Sequence, residues 1–322
     1  MRFQLCPVVL GVCFLVGCAS SSLSEEELHP DQVLQSLTTD NGSNLNGSNL
    51  NGSNLNGNDL SQFMVSVNYL PAWREGAQLE QVWLEGTTFL GVKASRFFSG
   101  ADFQGTEFLG NLGNGGTVRL RVSAISAAPA PNQDLSLYDV KFLGSDGVWQ
   151  PACRDASGAP VLAMPLKGTW DYRRGVAGGG AKTEDPARFT FACMGGALAK
   201  CVLWGYRPWA SFDNVQLAAH HQTCTRLVRA DYCGDGTSYT QQGNRINLYD
   251  QLGIQQDTEE WAFEAEWDTG GARCIYPLNR SHAGIPCFDA RADYLCGQQL
   301  NPNRGALLRN ETPSLLGGAM GL

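Results

Sequence analysis

The side chains whose types and spacing suit chemistry fall between Cys193 and Asp250. His220 and His221 are adjacent, Cys224 follows His221 by three residues, and Arg229 and Asp231 come shortly after. A histidine and a cysteine one helical turn apart share a face. In that arrangement an imidazole can take the proton of a thiol nucleophile. His282, with His220, His221 and Asp231, would supply the groups of a hydrolytic site. Asp231, Asp235 and Asp250 carry hard oxygens of the kind calcium takes. The EF-hand template fails on them, because with Asp231 first the twelfth position is Gln242, where a glutamate is needed. No Cys-x-x-Cys pair occurs, which speaks against zinc. Phosphate loops, HExxH and GxSxG are also missing, so no cofactor is expected.

The cysteines compete with the thiol reading. Of 11 in the chain, Cys6 and Cys13 lie in an apolar leader and Cys18 at its end. That leaves Cys153, Cys193, Cys201, Cys224, Cys233, Cys274, Cys287 and Cys296, an even set. In an exported chain such a set reads as four disulfides whose connectivity stays open. A sulfur held in a disulfide cannot attack a substrate.

Two helices are expected to position these groups. Asp213 and Asn214 are good N-caps, and Leu217, His221, Cys224, Val228 and Asp231 or Tyr232 recur on one face. Gly234 suits a left-handed end, so a central helix is expected from Val215 to Tyr232. Cys224 and Cys233 would then lie about 13 Å apart, beyond the roughly 7 Å a disulfide spans. Each must staple the helix to a different neighbour. A shorter helix is expected from Gly196 to Trp204, closed by Gly205 and barred from continuing by Pro208. Trp204, Tyr206 and Trp209 read as core.

Elsewhere the pattern is β. Val118, Leu120, Val122 and Ala124 alternate with Arg119, Arg121 and Ser123, as on a half-buried strand. Tyr138, Val140 and Phe142, then Val161 to Leu166, then Phe189 and Phe191 give further strands. Phe98, Phe103 and Phe108 recur every five residues with glycines between, read as short strands and glycine turns. Past the central helix a hairpin is expected around Gln242-Gly243, and the alternation in Glu259 to Trp267 favours a strand. Together these patterns predict a β-rich α+β fold: a β-rich unit at 61–166, then a disulfide-stapled α+β domain with one central helix at 167–300. Residues 301–322 are expected to be a frayed tail.

The first 17 residues read as a signal peptide, with Arg2 ahead of an apolar stretch too short to span a bilayer. Leu15-Val16-Gly17-Cys18 resembles the lipobox of bacterial lipoproteins, which implies lipidation of Cys18. Ala19 and Ser20 lack the aspartate associated with inner-membrane retention, so the outer membrane or cell surface is expected. Residues 18–60 read as a flexible tether carrying NGSNL at Asn41, Asn46 and Asn51 and NGNDL at Asn56, a spacing that resembles pentapeptide repeats. The net charge of −8 and the lack of a basic run argue against a nucleic-acid partner.

ADYCGDG at Ala230 to Gly236, with AKC at Ala199 to Cys201 and GYRPW at Gly205 to Trp209, resembles the ADYC domain of bacterial secreted and lipoproteins. The resemblance implies an exported architecture and names no reaction. The reading favoured is a non-enzymatic surface protein, membrane-bound through its lipid, that binds a glycan, a peptide or another envelope protein. The alternative is an envelope hydrolase built on His220, His221 and Asp231, with Arg229 beside them.

Overall fold

The computed structural model describes residues 64–155, 157–241, 244–281, 284–289, 295–296 and 305–313, with the short strands Glu26–Glu27 and Thr38–Asp40. The signal peptide, Cys18, the Asn/Gly repeats, Gln242-Gly243 and His282 lie outside the described residues.

The first half is a small closed barrel. Its elements in chain order are β1 (Met64–Asn68), β2 (Gln81–Glu85), β3 (Thr88–Lys93), β4 (Arg96–Ser99), β5 (Glu107–Leu112), β6 (Thr117–Ala127), β7 (Ser136–Leu143), β8 (Ala163–Lys167) and β9 (Arg188–Cys193). Strands β5 to β9 pair antiparallel, each with the next. β9 then pairs with β1 through Phe189↔Val67, and β1 with β5 through Val67↔Gly110, which closes a ring of six strands. Closure leaves none of the six with an open edge along its paired length, the exposed feature that invites aggregation.

The alternation in β6 decides which side faces in. Val118, Leu120 and Val122 are buried, while Arg119 and Arg121 turn outward onto Glu107 of β5. β2, β3 and β4 form a separate three-stranded sheet in the excursion between β1 and β5. That sheet delivers Phe89 to the barrel core, where its ring lies 5.1–6.0 Å from those of Phe103, Phe108, Tyr138, Phe189 and Phe191. The five-residue spacing of phenylalanines therefore belongs to strands and to the short 3-10 turn Gly100–Phe103.

β8 and β9 are buried on both faces. Phe189 and Phe191 fill the barrel; Met164, Leu166 and Ala192 point the other way, against Leu198, Ala199 and Val202 of α1 (Ala197–Leu203). Here the expected boundary at 166/167 is corrected: β9 lies beyond it yet is a barrel strand, because its phenylalanines are needed to complete the ring.

The second half contains β10 (Ala210–Phe212), α2 (Ala218–Arg229), β11 (Arg245–Asp250), β12 (Ala262–Asp268), β13 (Gly271–Ile275), α3 (Pro286–Asp289) and β14 (Leu308–Thr312). A five-stranded antiparallel sheet runs in the order Thr38–Asp40, β11, β14, β12, β13, and α2 packs against its β12–β14 side. The fold is β-rich with few helices and one long central helix, as the patterns predicted.

Several expectations need correcting. The tail is not frayed at 308–312: β14 sits between β11 and β12, with Leu308 buried and Asn310 accepting from the Trp267 indole at 2.7 Å. Among the described residues, no hairpin across Gln242-Gly243 joins β11 to a strand immediately before it, since β11 pairs with β14 and Thr38–Asp40. The tether contributes two short edge strands, Glu26–Glu27 beside β10 and Thr38–Asp40 beside β11. Finally, Asp213 and Asn214 do not cap the central helix. Both have positive φ (48° and 62°) and form the two-residue turn joining β10 to Val215–Gln216, a geometry these short side chains tolerate. The helix starts one turn later, after Leu217.

Eight cysteines form four bridges: Cys153–Cys193, Cys201–Cys224, Cys233–Cys287 and Cys274–Cys296. The first ties the segment after β7 to the end of β9, and the second joins α1 to α2. Among the described residues no helix is long and apolar enough to cross a membrane.

Candidate functional site

α2 is buried along its length from His220 to Arg229, with only its first two residues, Ala218 and Ala219, partly or fully exposed. Adjacent positions on a helix point about 100° apart, and the two histidines accordingly meet different walls. His220 stacks on Tyr206, with ring centroids 6.2 Å apart and planes 11° from parallel. His221 turns its edge to Trp170 and donates through Nε2 to the Leu198 carbonyl of α1 at 3.1 Å. Burial holds both imidazoles below their ordinary value, His221 down to about 3. His221 is therefore neutral at physiological pH. The Tyr206 hydroxyl donates to Asp250 at 2.7 Å, and burial raises that phenol well above its usual value.

Cys224, on the same helix, is bonded to Cys201. The Cys–His arrangement thus contains no thiol, and nucleophilic chemistry at this position has no nucleophile.

The last turn of α2 carries Arg226 and Arg229, where cations oppose the negative end of the helix dipole. Ala230 then takes a left-handed conformation (φ 52°) and turns the chain so that Asp231 folds back beneath them. The expected helix end at Tyr232 is corrected accordingly. Asp231 Oδ2 lies 2.5 Å from Arg226 Nη1 and 3.6 Å from Arg229 Nη1. Its two oxygens also accept the backbone N–H groups of Asp235 and Gly236, each at 3.1 Å. The guanidiniums reach outward in turn. Arg226 donates to the carbonyls of Gly179 and Thr269, and Arg229 to that of Gly236. Burial lowers Arg229 to about 10 and raises Asp231 against the opposing pull of the two arginines.

Through its two arginines, this carboxylate ties together three chain segments: the glycine-rich loop before β9, the β12–β13 turn and the Asp235-Gly236 turn. Two glycines make the close approach feasible. A Cβ on Gly234 (φ 67°) would meet the Gly270 carbonyl oxygen at 1.7 Å. One on Gly180 (φ 73°) would meet Arg226 Nη1 at 2.7 Å. The neighbouring Tyr232 donates to Glu264 at 2.7 Å, and Glu264 pairs with Arg280 at 2.8 Å. Arg280 also donates to the Leu227 carbonyl of α2.

The structure brings Arg229 and Asp231 together and leaves the histidines outside their network. The oxygens of Asp231 and Asp250 face N–H and O–H donors, a lining that repels a cation; Asp250 accepts from Tyr206 and from the amides of Leu252, Ile254 and Gln255. Among the described residues no group of three or more His, Cys, Asp or Glu is placed to hold a metal ion. Sequence reasoning missed Arg207, whose buried guanidinium in the GYRPW segment pairs with Asp134 at 2.5 Å and joins the two halves. A charged residue between aromatics expected to be core was its one signal. Glu264 and Arg280 were missed too, since their pairing joins a strand to a loop further along the chain that no local pattern signals.

Residues 100–281 match the model of the ADYC domain family. Neither the curated proteins nor the solved structures searched gave a match. The matched stretch takes in most of the barrel, α1, α2 and the Asp231 clasp, and covers more than half of the sequence. On that coverage, and with the ADYCGDG segment at its structural centre, the chain belongs to the ADYC domain family.

Proposed function

We propose that the protein is an exported, lipid-anchored protein of the cell envelope that binds a partner and carries no catalytic centre in its ADYC region. The observation that carries the second half of this reading is the enclosure, among the described residues, of the candidates on and just after α2: His220, His221, Cys224, Arg229 and Asp231. His221 is fully buried and neutral, Asp231 is saturated with donors, and Cys224 is in a disulfide. Such groups hold a fold together and do not meet a substrate. The hydrolase alternative draws no support from this geometry.

Lipidation at Cys18 rests on the Leu-Val-Gly-Cys segment and gains support from the pairing of all eight cysteines beyond residue 150, which leaves none of them in need of Cys18. The outer membrane is the favoured location. The partner is a glycan, a peptide or another envelope protein. The test is Cys18→Ser followed by membrane fractionation and fatty-acid labelling. Release of the protein, or retention of the uncut precursor without label, is the expected result; unchanged fractionation and labelling would remove the lipid anchor from the reading.

A further inference from the structure

Access separates one disulfide from the other three. Cys153, Cys193, Cys201, Cys224 and Cys274 are at most 2 % exposed and Cys296 is 8 % exposed. An external thiolate does not reach such sulfurs while the fold is intact. Cys233 and Cys287 are both half-buried and are bonded to each other. Cys233 lies in the ADYCGDG segment itself, directly after the Asp231 clasp, and Cys287 is in the one-turn α3.

We propose that Cys233–Cys287 is a thiol-exchange site, opened by the dithiol of a thiol–disulfide oxidoreductase while the other three bridges stay closed. The proposal does not depend on the lipid anchor. Exchange proceeds by attack of a thiolate on one sulfur with departure of the other. The surroundings choose the direction. The Tyr239 hydroxyl is 3.9 Å from Cys233 Sγ. Burial, then the Asp235 carboxylate, raises this phenol above its ordinary value, so it stays a donor. A donor beside Cys233 stabilises the thiolate that leaves.

The attacking thiolate therefore bonds to Cys287 Sγ, and the S–S electron pair departs on Cys233 Sγ. The second thiolate of the dithiol then attacks the mixed disulfide and releases Cys287. The dithiol ends as a disulfide, and the opened bridge gains two electrons and, on protonation, two protons.

Opening has a structural consequence. Beside the bridge, Ile285 and Phe288 hold α3 against the core that contains Leu227, Val228, Tyr232 and Tyr239. Two apolar side chains, Ile285 just before the turn and Phe288 on it, are a weak hold, and such a unit opens locally at small cost. Reduction would thus free α3 and uncover an apolar margin of the core next to the ADYCGDG segment, while Asp231 and the Cys201–Cys224 bridge keep α2 in place.

The test uses the oxidised full chain under native conditions. Dithiothreitol stands in for the dithiol, aliquots are alkylated over time, and labelled cysteines are mapped by mass spectrometry. Cys233 and Cys287 are expected to label together and at least about tenfold faster than the other six. Tyr239→Phe is expected to slow that phase several-fold and leave the slower ones unchanged. Another bridge opening first, or all four opening together, would overturn the proposal; an unchanged fast phase in Y239F would overturn the assigned direction of attack. Because the time course is read on the natural sequence, the folding of a variant does not decide the main result.

Discussion

The Asp231 carboxylate lies 2.5 Å from the Arg226 guanidinium, and neither side chain is more than 2 % exposed. A pair so deeply enclosed is a weak source of net stability, but breaking it is costly because the remaining charge has no solvent to return to. Asp231→Asn removes the charge and leaves the buried Arg226 and Arg229 without their direct ion-pair partner. The expected loss is about 3–5 kcal/mol, read from urea unfolding midpoints, and a midpoint within error of the natural protein would show that the clasp is incidental.

Gly234 and Gly178 both have positive φ, 67° and 79°, but only Gly234 faces an obstacle, the Gly270 carbonyl. Nothing lies within 4 Å of a Cβ placed on Gly178. Gly178→Ala therefore costs only the backbone term, about 1–2 kcal/mol. Gly234→Ala must also push β12–β13 away from the ADYCGDG turn and is expected to leave little folded protein. Equal losses on thermal unfolding would place the cost in backbone conformation alone.

His221 makes stability depend on acid. Its imidazole binds a proton near 6.5 in the unfolded chain and only near 3 in the folded one, because burial penalises the charged ring. Between those values the unfolded state holds more protons, so stability rises with pH. The contribution is complete above pH 6.5 and declines as pH falls toward 3; its limiting slope is about 1.4 kcal/mol per pH unit. His221→Gln, which retains a donor for the Leu198 carbonyl, should flatten this part of the profile. Parallel profiles for the two proteins would contradict the assignment.

Phe89 is the ring on which the barrel converges. Phe89→Ala should cost about 3–5 kcal/mol through lost burial and the cavity left among five aromatic neighbours. Phe97→Ala, at a ring 57 % exposed on the adjacent strand, should stay within about 0.5 kcal/mol. Chemical denaturation of the two variants checks the contrast.

Patterns that depend on near neighbours in the chain were legible from residues alone. Alternation located β6, β7 and β12, because a strand places successive side chains on opposite faces. Gly205 and Pro208 bounded the C-terminal end of α1 to within a residue. Cys224 and Cys233 bond to different partners, Cys201 and Cys287, as expected, although the helix ends at Arg229 and does not carry both. The ADYCGDG segment carried the family resemblance, and the structure places it where three chain segments meet.

Relations across the chain were settled only in three dimensions. Asp213-Asn214 suits a helix cap and a tight turn equally, and the pairing of Phe212 with Val215 selects the turn. The glutamates of β12 are buried and neutralised by Arg280 and Arg309, which lie elsewhere in the chain, so alternation within β12 alone could not reveal their partners. β14 carries too few apolar residues to announce a central strand, and its place follows from the open edges of β11 and β12. Likewise the barrel closes because β9 must bury phenylalanines that no local partner covers. Composition and periodicity determined which segments are strands, helices and cysteine-bearing loops; tertiary packing decided which strands meet, which sulfurs pair and which charges are enclosed. Those choices depend on contacts whose free energy appears only when the partners are brought together.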